Sequence, residues 1–357
     1  DGLNLLLRNG LSRHEFAFRG APPPASGQAV DIRGQFDGRS FARWQEWSGR
    51  LYAAVDDIDL DAWRQWVDYP FDLGGGRGAL RLWLSVGERG VHEVRAQVAL
   101  ADVRLRVRAD LPELQLAALQ GELGGRQSRD TLALLGWSTN AAYEIYGREL
   151  RLQTRDGERL QPGDFTVRWA LDEAGNPARG EITAAKIELE PLSRLSGYFV
   201  LPEDFRRLVE AAAPQGTLHQ VEFAWRGALE APAGYSARAR FEGLGMAAHG
   251  DLPGFQRLDG EVQLSETGGR LKAEARDLAL HYPGVFAVDR FALERMSTRI
   301  NWNVREGAVD VRVEELLFEN ADASGSLSGR VRTTASGSQW LDLTGRATRA
   351  HGPAVYK

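Results

Sequence analysis

Val103-Arg104-Leu105-Arg106-Val107-Arg108 is the stretch that decides how this chain is read. Apolar and charged residues alternate with a period of two, so Val103, Leu105 and Val107 face one way and three arginines the other. A segment of this kind is a half-buried strand, with one face dry and one in water. The alternation returns in Leu80-Arg81-Leu82-Trp83-Leu84-Ser85-Val86 and in Val309-Asp310-Val311-Arg312-Val313-Glu314. Shorter copies are Val221-Glu222-Phe223-Ala224-Trp225-Arg226, the run carrying Val167, Trp169 and Leu171, and Ile300-Asn301-Trp302-Asn303-Val304. The chain is strand-rich, and its function is to be sought on the surfaces those strands make.

The composition narrows the function classes. The net charge is -5 over 357 residues, with basic residues dispersed among acidic ones. There is no basic stripe with interleaved aromatics, so nucleic acid is not an expected partner. Cysteine is absent, which removes disulfides, thiol catalysis and cysteine zinc sites. No run of 18 or more apolar residues marks a membrane-spanning helix. The sequence opens at Asp1 already in strand-like pattern, without an initiator methionine or signal peptide, and reads as a piece of a longer protein. The 40 glycines point to many turns and close backbone approaches.

Along the chain, Leu3–Arg8 and His14–Arg19 read as strands around an Asn9-Gly10 turn, and residues 21–27 as a proline-rich loop. Further strands are expected at Gln28–Phe36 and Arg50–Val55. The period then changes, and Asp59 or Asp61 would cap a short helix presenting Trp63, Trp66 and Val67. Strands follow the Gly74–Gly78 loop to about Asp110. A polar connection at 155–163 precedes strands at Phe165–Leu171 and Gly180–Leu189. Helices are expected at Pro191–Tyr198 and Pro202–Ala213, the second with Phe205, Leu208 and Val209 on one apolar face.

Blocks recur at a separation of roughly 130–140 residues. The block from Leu51 (LYAAVDDIDLDAWRQW) aligns with the one from Ile182 (ITAAKIELEPLSRLSGY), and that from Asp110 (DLPELQLAALQGEL) with that from Asp251 (DLPGFQRLDGEV). Gly78-Ala79-Leu80 matches Gly216-Thr217-Leu218 between them. This gives approximate units at 28–160 and 161–290 and a partial unit at 291–357, within one continuous body over 1–357.

Candidate chemistry is sparse. Asp56, Asp57, Asp59 and Asp61 resemble a hard-cation site, but lack the glycine and terminal glutamate of an EF-hand loop, and a strand end with a helix cap is the preferred reading. Gly74–Gly78 lacks the lysine-serine or lysine-threonine ending of a phosphate loop. The six histidines are scattered without metal-ligand spacing, and no Gly-x-Ser-x-Gly nucleophile elbow is present. No catalytic residue, metal site or cofactor is expected. Alternation alone leaves open a closed sandwich core and a sheet with one apolar side uncovered. The long repeat and the small number of helices favour the uncovered side, which would be a binding surface.

Leu51-Tyr52-Ala53-Ala54 leading to Leu60-Asp61-Ala62-Trp63, the helix from Leu201-Pro202-Glu203 to Leu208 with Pro214-Gln215-Gly216, and Gly250-Asp251-Leu252-Pro253-Gly254 with Leu258-Asp259-Gly260 resemble the AsmA-like family of Gram-negative bacteria, in its YhdP branch. The resemblance runs from about residue 30 to the C-terminus. It implies a mainly β fold: a long curved antiparallel sheet forming an open, taco-like groove with a few short α-helices. It also implies a periplasmic protein, anchored in the inner membrane by an N-terminal helix outside this sequence. The implied activity is non-enzymatic phospholipid transport between inner and outer membranes, with acyl chains in the groove and envelope proteins as possible partners at its ends. About 20 strands spaced roughly 4.8 Å apart would span on the order of 95 Å.

The expected lining is the apolar side of the strands: Leu80, Leu82, Leu84, Val86, Val103, Leu105, Val107, Val167, Trp169, Leu171, Val221, Phe223, Trp225, Ile300, Trp302, Val304, Val309, Val311 and Val313. Arg104, Arg106 and Arg108 are expected on the solvated exterior. The alternative functions are a structural or interaction β-protein with a closed core and a glycan-binding or hydrolytic β-protein.

Overall fold

The alternating segments build strands, as their period requires. The structure, a computed structural model, describes residues 3–20, 30–39, 43, 46–64, 72–87, 90–128, 142–161, 163–172, 174–199, 203–229, 231–249, 253–281, 291–334 and 339–350. The chain is mainly β, with one twenty-stranded antiparallel sheet that is open rather than closed into a barrel. Among the described residues the α-helices are three and short. The chain divides into two compact units, residues 1–180 with 197–200, and residues 181–196 with 201–357.

The first unit contains β1 (Asn4–Asn9), β2 (Arg13–Gly20), β3 (Val30–Asp37), β4 (Ser48–Asp59), α1 (Leu60–Trp63), β5 (Asp72–Gly74), β6 (Arg77–Gly87), β7 (Gly90–Arg106), β8 (Leu114–Ser128), β9 (Ala142–Thr154), β10 (Arg159–Leu160) and β11 (Phe165–Leu171). Each long strand pairs antiparallel with the next, β4 with β6 and β9 with β11. β5 and β6 are one strand, broken at Gly75 and Gly76, since both lie against β7 in the same register. β10 and β11 are likewise one broken strand against β9.

Helix α1 sits over the first break. Asp59 caps it, accepting from the backbone N–H of Asp61 at 3.1 Å and of Ala62 at 3.4 Å. Leu60 is buried, and a Cβ on Gly76 would meet its Cδ1 at 2.8 Å, so glycine lets the helix close onto the strand. The acidic cluster is thus employed structurally: Asp59 also pairs with Arg77, Asp61 with Arg104 and Asp56 with Arg81. Trp66 and Val67, expected on this helix, lie outside the described residues, as does the loop at 21–27.

β12 (Pro177–Glu188) begins in the first unit and ends in the second. The second unit continues with α2 (Leu189–Arg194), a 3-10 turn at Ser196–Tyr198, α3 (Glu203–Ala212), β13 (Gln215–Arg226), β14 (Gly234–Met246), β15 (Gly254–Ser265), β16 (Gly268–His281), β17 (Phe291–Arg305), β18 (Ala308–Glu319), β19 (Ala323–Thr333) and β20 (Gln339–Ala350). From β13 onward every strand pairs antiparallel with its successor. Glu306 (φ 50°) and Gly307 (φ 76°) make the two-residue loop between β17 and β18, the left-handed pair a tight hairpin needs. In α3 the expected apolar face is only partly used: Phe205 and Leu208 are exposed, while Val209 is half-buried.

Strict alternation fails at defined places. Asp102, Glu149, Gln220, Arg257 and Asp277 adopt positive φ inside strands, and at Asp102 the buried positions on either side, Leu100 and Val103, are three apart rather than two. The slip keeps apolar residues on one side of the sheet across the bend. The exposed backbone left by such bends is capped by carboxylates. Gly75 N–H donates to Asp61 (2.8 Å), Glu149 N–H to Asp164 (3.1 Å) and Gly243 N–H to Asp259 (2.6 Å).

One strand ends earlier than its sequence pattern suggests. β7 stops at Arg106, because Leu111 N–H turns back to the Arg108 carbonyl (3.0 Å) and Arg108 pairs with Asp110. Val107 therefore lies just beyond the ladder and is 44% exposed.

Candidate functional site

Residues directly opposite in an antiparallel ladder share a face, so the pairings sort the side chains into two sides. In the second unit one row crosses eight strands: Phe223, Ala237, Leu264, Gly269, Trp302, Val311, Val331 and Leu341. The neighbouring row reads Glu222, Arg238, Gln263, Arg270, Asn301, Arg312, Arg330 and Asp342. The first row contains no polar side chain and the second no apolar one. At about 4.8 Å per strand, the apolar row extends about 34 Å.

The expected lining residues of this unit fall on the apolar side. Ile300 and Trp302 stand opposite Val313 and Val311, and Val304 opposite Val309. Phe223 and Trp225 stand opposite Ala237 and Tyr235, and Val221 keeps their alternation beyond the irregularity at Gln220. The same side also carries, in neighbouring rows, residues that the sequence reading left out, such as Phe241, Val262 and Leu271. Their alternation is as clear as that of the chosen segments, so it is the missed signal. Gly260 and Gly329 share these rows without a side chain, which only the register reveals.

In the first unit Leu80, Leu82 and Leu84 stand between Val55, Ala53 and Leu51 of β4 and Val98, Ala96 and Val94 of β7. Val86 stands opposite Gly49, and Val167 and Trp169 opposite Ile145 and Tyr143, while Leu171 closes β11. Val103 and Leu105 pair with the buried Leu116 and Leu114. The side continues over β1 to β3 through Leu5 and Leu7, Phe16 and Phe18, and Ile32.

In the second unit this side is packed at one end of the strands and only half-buried at the other. Ala275, Leu278 and Leu293 form a buried cluster with Phe255, Leu258, Leu280, Phe291, Met296 and Phe318 around it. The row from Phe223 to Leu341 has no fully buried member, and Leu341 is 57% exposed. Among the described residues the helices pack mainly against β4, β5, β13 and one another, so of the eight strands that carry the row they meet chiefly β13. Trp225, 6% exposed, stacks on Phe223 at 5.7 Å, and its buried indole N–H has no hydrogen-bond partner.

The opposite side holds the charges. Glu144 is clamped between Arg126 (3.0 Å) and Arg168 (2.7 Å) from the two flanking strands. Burial pushes its carboxyl up, but the two guanidinium groups outweigh burial and hold it below the usual range. Asp31, bonded to Arg33 and Arg19, is lowered to about 2, chiefly by the Arg33 hydrogen bond. Of the three arginines in the opening stretch, Arg104 and Arg108 are exposed and ion-paired, whereas Arg106 has a buried Nε without a partner. Among the described residues no group of His, Asp and Glu could hold a metal ion, and no helix is long and apolar enough to cross a membrane.

A comparison with protein families matches the family described as YhdP protein over residues 1–355. No curated protein and no solved structure matches the chain.

Proposed function

Since the chain belongs to the YhdP family, we propose that it transports phospholipid between membranes without catalysing a reaction, holding acyl chains against the apolar side of its sheet. The observation that carries this reading is the half-exposed row from Phe223 to Leu341, set beside a wholly polar row. Each methylene removed from water along such a row contributes about 0.8 kcal/mol. A lining without interior charges holds the chain without fixing it at one point, as a conduit requires. Leu80, Leu82, Leu84 and Val86, Val103, Leu105 and Val107, and Val167, Trp169 and Leu171 would supply the lining in the first unit. Val221, Phe223 and Trp225, Ile300, Trp302 and Val304, and Val309, Val311 and Val313 would do so in the second. Family membership supports the further reading of a periplasmic segment of an inner-membrane-anchored protein, with membrane lipid as its cargo.

Native mass spectrometry with lipid extraction from the same purified sample tests this. Co-purifying phospholipid should be lost in Val311→Glu and retained in Arg312→Glu, its outward-facing neighbour. A protein that carries no lipid and takes up none when it is offered would point to a closed β-core instead.

A further inference from the structure

On the charged side of the first unit, facing positions on β8, β9 and β11 read Arg126, Glu144 and Arg168, and the central carboxylate pairs with both flanking cations. The second unit carries a longer row of this kind with one change. Facing positions on β14 to β18 read Arg238, Gln263, Arg270, Asn301 and Arg312, so amides stand where the carboxylates would. The three arginines are exposed, and among the described residues none of their side chains has an ion pair or a hydrogen bond. Glu222 faces Arg238 from β13 but makes no ion pair with it, whereas on β19 the compensation returns, with Arg330 paired to Asp310 at 3.3 Å. Gln263 leaves its amide unused, and Asn301 spends one amide hydrogen on Glu314 at 2.7 Å. An amide supplies hydrogen bonds but no charge to offset its neighbours. The row therefore leaves its donors to an anion from outside the chain.

The surroundings define that anion. Two residues along the strands, Ser236, Ser265 and Gly268 face one another with little or no side chain. They lie in a depression of about 770 Å³ that Arg238, Gln263, Arg270 and Asn301 also line. Alternate strands are about 9.6 Å apart, so the three arginines extend over about 19 Å with a neutral amide midway between each pair. A matching ligand is linear, carries one anionic group per repeat of that length, and presents neutral hydrogen-bonding groups in between. A glycan in which acidic sugars alternate with neutral ones has this pattern. Its disaccharide repeat is of similar length, its carboxylates suit the guanidinium forks, and its hydroxyl or acetamido groups suit the amides. A nucleic acid strand is charged at every residue and needs stacking aromatics, which this row lacks. A flat membrane surface meets protruding residues rather than a depression. We propose that this face of the sheet binds a linear acidic glycan, with one carboxylate per disaccharide, laid across β14 to β18. The site lies on the side opposite the apolar row and does not depend on what that row carries.

The test is calorimetric titration of the purified chain with a hyaluronan hexasaccharide, which bears a carboxylate on every second sugar, and with its methyl ester, which bears none. The hexasaccharide should bind, and the ester should bind about tenfold more weakly or not at all. Hexagalacturonate, charged at every sugar, should bind less well than the alternating chain. In the double variant Gln263→Glu, Asn301→Asp the acceptors are built in, as at Glu144. That variant should lose the hexasaccharide while its thermal midpoint stays at or above the wild-type value. Equal binding of the hexasaccharide and either comparison, or no binding at all, overturns the proposal, and so does a folded double variant that still binds. Tighter binding to phosphatidylglycerol vesicles than to the hexasaccharide overturns it in favour of a membrane surface. If the double variant does not fold, Arg270→Gln removes one exposed cation and no ion pair, and unchanged hexasaccharide binding in that variant overturns the proposal.

Discussion

Ala275 and Leu278 lie three residues apart on β16, yet both enter the same buried cluster, opposite Met296 and Leu293 of β17. Regular alternation would put them on opposite sides. Asp277 between them has φ 54°, and this left-handed residue resets the phase of the strand. Glycine takes up that conformation freely, whereas a β-branched residue resists it. Asp277→Gly should therefore leave stability unchanged or raise it by up to about 1 kcal/mol. Asp277→Val should lower it by about 1–3 kcal/mol. Urea unfolding of the two variants checks this, and a valine variant as stable as the glycine variant would contradict the strain argument.

A second prediction concerns the carboxylate beside a bend. Asp259 accepts the Gly243 backbone N–H at 2.6 Å, at a place where β14 and β15 lose register. Asp259→Ala removes the acceptor and should cost about 0.5–1.5 kcal/mol, at the low end because Asp259 is exposed and water can replace it. Hydrogen exchange should localise the effect, with faster exchange at Gly243 and little change in β18. Uniformly faster exchange along all strands would argue against a local cap.

These two bends show where sequence reading succeeded and where it stopped. Alternation identified the strands and their apolar side, because burial on one face imposes a period of two. Trp302 and Val311 were legible for that reason, and the change of period put a helix cap at Asp59 or Asp61, of which Asp59 is the cap. The slips were not, because Asp, as at Asp102 and Asp277, tolerates positive φ but far more often lacks it, and Glu149 carries no such preference. The trace that sequence does carry is an apolar spacing of three, as at Leu100 and Val103. The end of β7 at Arg106 was not legible, because the turn that ends it depends on Arg108, Asp110 and Leu111 closing on one another, which a local alternating pattern cannot show. Glycines standing in the apolar rows, such as Gly260, are visible only from cross-strand register.

A third prediction is a pH dependence. Asp31 is bonded to Arg33 and Arg19, and its carboxyl falls from 3.8 to about 2 on folding, led by the Arg33 hydrogen bond. A depressed carboxylate pKa gives stability that is fully present above the ordinary value and lost as pH falls through the folded value. Asp31→Asn should therefore cost about 1 kcal/mol at pH 7, a figure reduced for solvent screening. The gap between variant and wild type should close between about pH 4 and pH 2. Unfolding midpoints measured over that range check it, and a gap that stays constant would exclude the ion pair as its source.

A fourth prediction links packing to the lining. Gly269 lies beneath Trp302, and a Cβ there would come within 2.5 Å of the ring carbon Cζ2 and 2.4 Å of the Gln263 carbonyl oxygen. An aromatic ring over a cross-strand glycine covers backbone that has no side chain of its own. Gly269→Ala should push Trp302 away from the sheet and separate β16 from β15, costing about 1–3 kcal/mol. Trp302 stands in the apolar row between Gly269 and Val311, so its displacement should also change what the row can hold. The variant should lose bound lipid in proportion to the shift of the ring, and Gly307→Ala, in the β17–β18 hairpin, supplies a stability control away from that row. If both variants are destabilised alike but only Gly269→Ala loses lipid, the loss belongs to the lining; if both lose it equally, stability alone accounts for it.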